Sequence, residues 1–169
     1  MFLTSGGGRC VIVVVNKKKA HNLKWTVADV YRNASNEMLR IFIEYLDTKN
    51  DQGQIIIESA GAKKDILFYK EYIYFLANGI LSLGLDHKKI KQILTSISFV
   101  SKNNQDIEAQ IADLLAYPAG HNCLTSDGLK KVVPNSYEDN MCKILNTKML
   151  RFVNKKNKIS REGFISLPL

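Results

Sequence analysis

The stretch Gln54-Ile-Ile-Ile-Glu-Ser59 places three consecutive isoleucines between polar residues. A continuous β-branched run of this length is typical of a strand that is buried on both faces of a sheet. Residues 47–53, just before it, have the composition of a turn. Because Glu58 follows the last isoleucine at once, we expect its carboxylate at the carboxyl end of a buried strand.

Apolar segments on either side predict strands and helices in alternation. Residues 10–15 form a second β-branched run, and residues 96–101 alternate between apolar and polar side chains. The intervening segments have helical spacing of apolar residues: 27–46, 66 to about 82, and 88–94. Strands separated by helices favour parallel pairing with right-handed crossovers. The sequence therefore predicts an α/β fold.

The third strand is followed by a predicted helix over residues 107–117, with N-cap oxygens offered by residues 103–106 and a stop expected at Pro118 and Gly120. One face is an apolar stripe that we expect in the core: Ile107, Ile111, Leu114 and Leu115. A polar seam runs beside that stripe: Gln110, Asp113 and Tyr117.

Beyond Pro118 the pattern is weaker. It is compatible with a helix at 137–145, a strand or helical turn at 149–153 and a short closing strand at 164–167. The predicted organisation is a loose N-terminus (1–9), an α/β core (10–123) and a basic C-terminal extension that packs on the core (124–169).

The chain has a formal net charge of +8, from 24 lysines and arginines against 16 acids in 169 residues. Residues 143–163 carry seven of these basic residues and one acid. This excess favours a polyanionic partner, first of all DNA or RNA, although a basic tail is also compatible with a merely solvated surface.

Three cysteines lie far apart without a Cys-x-x-Cys pair, so a disulfide framework is not indicated. His121 and Cys123 would supply only two ligands, which is too few for a convincing zinc site. No apolar stretch is long enough to span a membrane, and we expect a cytoplasmic protein.

In open α/β sheets, ligands gather at the carboxyl ends of the strands. Glu58 is expected at that edge, and Asp113 follows the next strand, so the two carboxylates are candidate ligands for Mg²⁺ or Mn²⁺. Such metals polarise a phosphoryl oxygen and lower the pKa of bound water, which is the basis of two-metal phosphodiester hydrolysis. The structural alternative is that Glu58 pairs with Lys63 or Lys64.

Three further residues are candidates for supporting roles at the same edge. Lys17 could contact phosphate, Gln110 could orient Asp113 or bind substrate, and Tyr117 could stack on a base. A solvated lysine, a glutamine that binds a loop carbonyl and a packed tyrosine are the alternatives.

Four motifs in order resemble the DUF3800 family. They are Asn16-Lys17 after a hydrophobic strand, Ile57-Glu58-Ser59-x-Gly61-x-Lys63 after the next, Gln110-Ile-Ala-Asp113 followed by Leu-Leu-Ala-Tyr-Pro118, and Gly163-Phe-Ile-Ser-Leu-Pro168. The resemblance covers about residues 10–168.

The resemblance implies a ribonuclease-H-like mixed sheet flanked by helices and a two-metal acid site. Glu58 matches the second acid of that site and Asp113 the third, with Lys63 nearby as a phosphate contact. The family's leading Asp-Glu-Ser-like strand has no match, which predicts an N-terminally shortened member with one ligand missing.

Three functions follow from this resemblance: a metal-dependent nuclease-type domain, a non-catalytic nucleic-acid-binding or adaptor module, or an enzyme acting on a small phosphorylated substrate. A sheet that lacks its first strands also predicts a homodimer through an exposed edge.

Overall fold

A computed structural model describes residues 8–101, 107–154 and 158–168, and it is mixed α/β. The strands are β1 (Ile12–Val15), β2 (Gly53–Glu58), β3 (Leu94–Val100), β4 (Arg151–Val153), β5 (Ser160–Glu162) and β6 (Phe164–Leu167). The α-helices are α1 (Lys17–Asn22), α2 (Val27–Lys49), α3 (Ala62–Asn78), α4 (His87–Ile93), α5 (Ile107–Ser126) and α6 (Tyr137–Lys148). A 3-10 turn spans Leu81–Leu83.

The strands pair two by two. β2 and β3 are parallel, as their separation by helices predicts, and β4 and β5 form an antiparallel hairpin. β1 pairs in parallel with β6, from Ile12 opposite Phe164 to Val15 opposite Leu167. The predicted closing strand is therefore confirmed, and its partner is the first strand of the chain.

The core lies between α2, α3, α4 and the β2–β3 pair. Leu39 and Ile43 of α2 are buried against Phe75 of α3 and Ile90 of α4. The long helix α2 starts with a capping box, in which Thr26 and Asp29 satisfy each other's backbone N–H groups. The apolar residues whose helical spacing predicted α2 and α3 thus include those that pack the two helices on one another.

The prediction that β1 and β2 are buried on both faces is wrong. All four residues of β1 are half-buried, and Ile56 of β2 is 42% exposed. Within the described ranges each of these strands has one strand partner, so its other edge is open. Val11 and Gln54 line an apolar groove of about 240 Å³ along these edges, floored by Leu39 and Phe42.

The predicted stop of the fifth helix at Pro118 is also wrong, because α5 continues through the proline to Ser126. Proline removes one helical hydrogen bond, but burial can offset that loss. Pro118 is fully buried and Ala119 nearly so, and α5 packs on α6 along this half. Of the predicted apolar stripe, Leu114 is half-exposed.

The basic C-terminal segment contacts the rest of the chain through its hairpin. Phe152 of β4 packs edge-on against Tyr45 of α2, with ring centroids 5.6 Å apart. Residues 1–7, 102–106 and 155–157 lie outside the described residues, and with them most of the predicted loose N-terminus and the N-cap at 103–106. In the described part of the chain, no helix is long and apolar enough to cross a membrane.

Candidate nucleic-acid interface

The amino ends of β1 and β2 lie at the same end of the fold. Val11, just before β1, and Gln54, the second residue of β2, line one groove. Each of the two strands is followed by exposed lysines. We call residues 16–19, after β1, and residues 58–64, after β2, the carboxyl edge.

At the end of β1 the chain turns straight into a helix. Asn16 caps α1, because its side-chain oxygen accepts a hydrogen bond from the Lys19 backbone N–H at 3.1 Å. The cap places Lys17, Lys18 and Lys19 in the first turn of α1, where all three are exposed. Three adjacent exposed lysines thus lie one residue after the end of β1.

At the end of β2 a hydrogen-bonded loop leads into α3. Half-buried Glu58 closes the strand, and the next residue, Ser59, donates its hydroxyl hydrogen to Asp65. The backbone N–H of Ala60 donates to the other oxygen of Asp65 at 2.9 Å. Asp65 is consequently engaged in holding the loop, and Lys63 and Lys64 are exposed in the first turn of α3.

The part of the carboxyl edge that follows β2 contacts α2. The Lys64 ammonium lies 5.2 Å from the ring centroid of Tyr31, which is in the second turn of α2. Asp29, in the first turn of α2, accepts from Thr26 and pairs with Arg32 at 2.8 Å. Asp29 and Asp65 are therefore both engaged in local contacts.

The lysines of this edge keep their charge available. In residues 8–101, 107–154 and 158–168, no ion pair is formed by Lys17, Lys18, Lys19 or Lys63. Lysines at this spacing offer several point charges to consecutive phosphates of one polyanion.

The predicted polar seam lies on the exposed side of α5. Gln110 and Asp113 are exposed in its first two turns. Tyr117 donates its hydroxyl hydrogen to Glu138 of α6 at 3.4 Å. Desolvation and the Glu138 carboxylate raise the pKa of Tyr117, so its hydroxyl stays protonated at neutral pH. The Tyr117 side chain is itself 54% exposed, so a stacking role for its ring stays a prediction.

The donor chemistry of the two predicted metal ligands suits a hard cation. Glu58 and Asp113 offer carboxylate oxygens, and Mg²⁺ is often held by only one or two carboxylates together with water and phosphate oxygens. The part of the chain that the structure describes holds no group of three or more His, Cys, Asp or Glu side chains arranged around a metal position.

A buried contact between α5 and α6 escaped the sequence analysis. His121 Nδ1 lies 3.7 Å from the Cys142 sulfur, so this side of the imidazole ring faces Cys142. Burial, followed by the charges of Asp139 and Glu138, raises the pKa of the Cys142 thiol. The thiol is thereby held protonated, which favours a packing role. No local spacing could reveal a pair 21 residues apart.

Comparisons of the chain with protein-family models, curated proteins and solved structures gave no match.

Proposed function

We propose that this protein binds nucleic acid through the carboxyl edge. The observation that carries the proposal is the set of exposed lysines after β1 and β2: Lys17, Lys18, Lys19, Lys63 and Lys64. Asp29 and Asp65, the nearby acids with assigned contacts, are bonded to Thr26, Arg32, Ser59 and Ala60. A phosphate backbone can meet five lysine charges on this surface.

Binding of this kind depends mainly on charge and little on sequence. Each lysine that neutralises a phosphate releases condensed counterions, which drives association at low salt. Exposed ion pairs are each worth roughly 0.2–1 kcal/mol. Several such contacts together give useful affinity, and the net charge of +8 adds long-range attraction.

A paired set of charge-neutralising variants tests the carboxyl edge. In K17Q/K18Q two lysines of α1 are replaced by a good helix former, and K88Q/K91Q removes two exposed lysines of α4. Helix α4 leads directly into the amino end of β3, at the other end of the strands. We expect K17Q/K18Q to weaken binding of a labelled oligonucleotide about tenfold, which is about 1.4 kcal/mol. Equal weakening by K88Q/K91Q would contradict a localised site.

We further infer a ribonuclease-H-like fold for the chain. The order of strands and helices from β1 to α5, the parallel β2–β3 pair and the four motifs that resemble the DUF3800 family support it. Three cysteines without disulfides also fit a reducing compartment such as the cytoplasm.

A second candidate function is metal-dependent phosphodiester cleavage. It is favoured by the position of Glu58, which is half-buried at the end of a parallel strand and precedes Lys63 and Lys64 in the loop that leads into α3. In this proposal Glu58 and Asp113 hold Mg²⁺ or Mn²⁺, which when bound polarises a phosphoryl oxygen. Gln110 orients Asp113, and Lys17 and Lys63 hold the flanking phosphates.

Calorimetric Mn²⁺ titration and a nuclease assay separate the two candidates. If the acids hold metal, E58Q and D113N each weaken Mn²⁺ binding and abolish cleavage. The control E162Q, at an exposed carboxylate of β5, leaves both unchanged. The nuclease proposal is rejected if the protein binds the oligonucleotide but does not cleave it, and if E58Q and D113N leave Mn²⁺ binding unchanged. That result identifies a non-catalytic binding module.

A further inference from the structure

The outer face of α3 carries lysines and exposed aromatic rings in one stripe. Lys63, Ile66, Lys70 and Tyr74 follow one another at spacings of three and four residues, which places them on one side of the helix. Tyr69 lies beside this row, three residues after Ile66. Tyr69 is 43% exposed and Tyr74 is 54% exposed. From Lys63 to Tyr74 the stripe is about 16 Å long, at 1.5 Å per residue.

Each exposed tyrosine ring is braced by a buried aromatic ring. Tyr69 stacks on Tyr72 with centroids 6.2 Å apart and planes inclined by 28°. Tyr74 meets Phe75 edge-on with centroids 5.9 Å apart. Tyr72 and Phe75 are buried in the core. The exposed rings are consequently held in place before any ligand arrives, which lowers the entropy lost on binding.

The stripe is positively charged because it carries Lys63 and Lys70, whereas the two acids of α3, Asp65 and Glu71, lie outside it. Asp65 holds the loop after β2, and Glu71 accepts a hydrogen bond from the Asn36 side chain at 2.8 Å. Neither Lys63 nor Lys70 forms an ion pair with the residues that the structure describes. Since α3 starts at the carboxyl edge, the stripe continues the surface proposed to bind phosphate.

We propose that single-stranded nucleic acid lies along this outer face of α3, with phosphates on Lys63 and Lys70 and bases stacked on Tyr69 and Tyr74. The inference rests on the proposed nucleic-acid binding and adds the class of nucleic acid. Aromatic rings stack on any exposed base, so the contact is tolerant of sequence. The bases of a duplex are already stacked on each other, so a duplex gains only the lysine contacts.

The test compares an oligothymidylate with a duplex of equal length for binding to Y69A/Y74A by fluorescence anisotropy. We expect Y69A/Y74A to lower the affinity for the single strand about tenfold or more and to change the affinity for the duplex less than twofold. Y69F/Y74F keeps the rings and is expected to bind like the wild type. Y137A, at an exposed tyrosine of α6, is the matched control. Circular dichroism melting confirms that each variant is folded.

The outcomes separate this inference from the proposed function. If Y69A/Y74A loses affinity equally for both nucleic acids, or loses none for either, the stacking role of Tyr69 and Tyr74 is overturned. If K17Q/K18Q lowers affinity while Y69A/Y74A does not, only the inference fails. If the wild type binds neither nucleic acid, both proposals fail. Tyrosine-dependent binding to vesicles of anionic lipid, without binding to the oligothymidylate, would assign the stripe to a membrane surface and also overturn the inference.

Discussion

Arg161 of β5 donates its Nε hydrogen to the carboxylate of Glu44 on α2, at 3.0 and 3.1 Å from the two oxygens. The Glu44 side chain is completely buried, and Asn154 donates to one of the same oxygens at 2.6 Å. A buried carboxylate needs such partners, because an uncompensated charge in the interior is costly. The ion pair therefore fastens the C-terminal hairpin to the longest helix of the core.

The Glu44–Arg161 pair predicts an asymmetry between two arginines of the same hairpin. R161M leaves the buried carboxylate with Asn154 alone, and we expect it to lower the free energy of unfolding by about 3 kcal/mol. R151M removes a surface pair with Glu162 in which both side chains are more than half exposed, so we expect a loss below about 1 kcal/mol. Urea denaturation measures both. Equal losses would contradict the structural role of Arg161.

The capping box of α2 predicts an acid-dependent loss of stability. The Thr26 hydroxyl and then its backbone N–H hold the pKa of Asp29 below its usual value. Burial opposes this shift, and the charge of Arg32 adds a smaller lowering. A depressed carboxyl pKa contributes stability above the unfolded value of about 3.9, and that stability is lost as pH falls through the lower folded pKa. We expect D29N to lower the melting temperature at pH 7 and to show a smaller drop between pH 5 and pH 3 than the wild type. If the melting temperatures of D29N and the wild type fall equally between pH 5 and pH 3, Asp29 does not contribute to the acid-dependent loss of stability.

The open edge of β1 predicts self-association into a homodimer. Ile12 and Asn16 donate their backbone hydrogens to Gly163 and Leu167, so alternate residues point their backbone groups to β6. Val13, between them, points its N–H to the open edge.

Two proline variants test the β1 edge by light scattering over a range of concentrations. V13P removes only the outward N–H and is expected to reduce association while the fold is retained. V14P removes a hydrogen bond to β6 and is expected to destabilise the protein. A wild type that remains monomeric at high concentration would contradict the prediction.

The positions of the main helices and strands could be predicted because local signals determine them. The three isoleucines before Glu58 do form a strand, and the apolar spacing from Val27 does form a long helix. The short helix α1 was not predicted, since Lys17, Lys18 and Lys19 have no apolar periodicity. Its cap by Asn16 was the available signal.

What could not be predicted depends on contacts between distant segments. The pairing of β1 with β6 and the continuation of α5 through Pro118 both depend on packing partners far away in the chain. The burial of β1 and β2 was overestimated, because a β-branched run does not report whether a neighbouring strand is present. At the site, Glu58 was placed correctly at a strand end, whereas Tyr69 and Tyr74 were assigned to an ordinary helix.

The most direct test of nucleic-acid binding at the carboxyl edge is the salt dependence of affinity for an oligonucleotide. The slope of log affinity against log salt falls by about 0.7 for each phosphate contact removed from a single strand. We therefore predict that K17Q/K18Q has a slope shallower than that of the wild type by about 1.4, whereas K88Q/K91Q has the wild-type slope. An unchanged slope in K17Q/K18Q, or affinity that does not depend on salt in the wild type, would contradict the account.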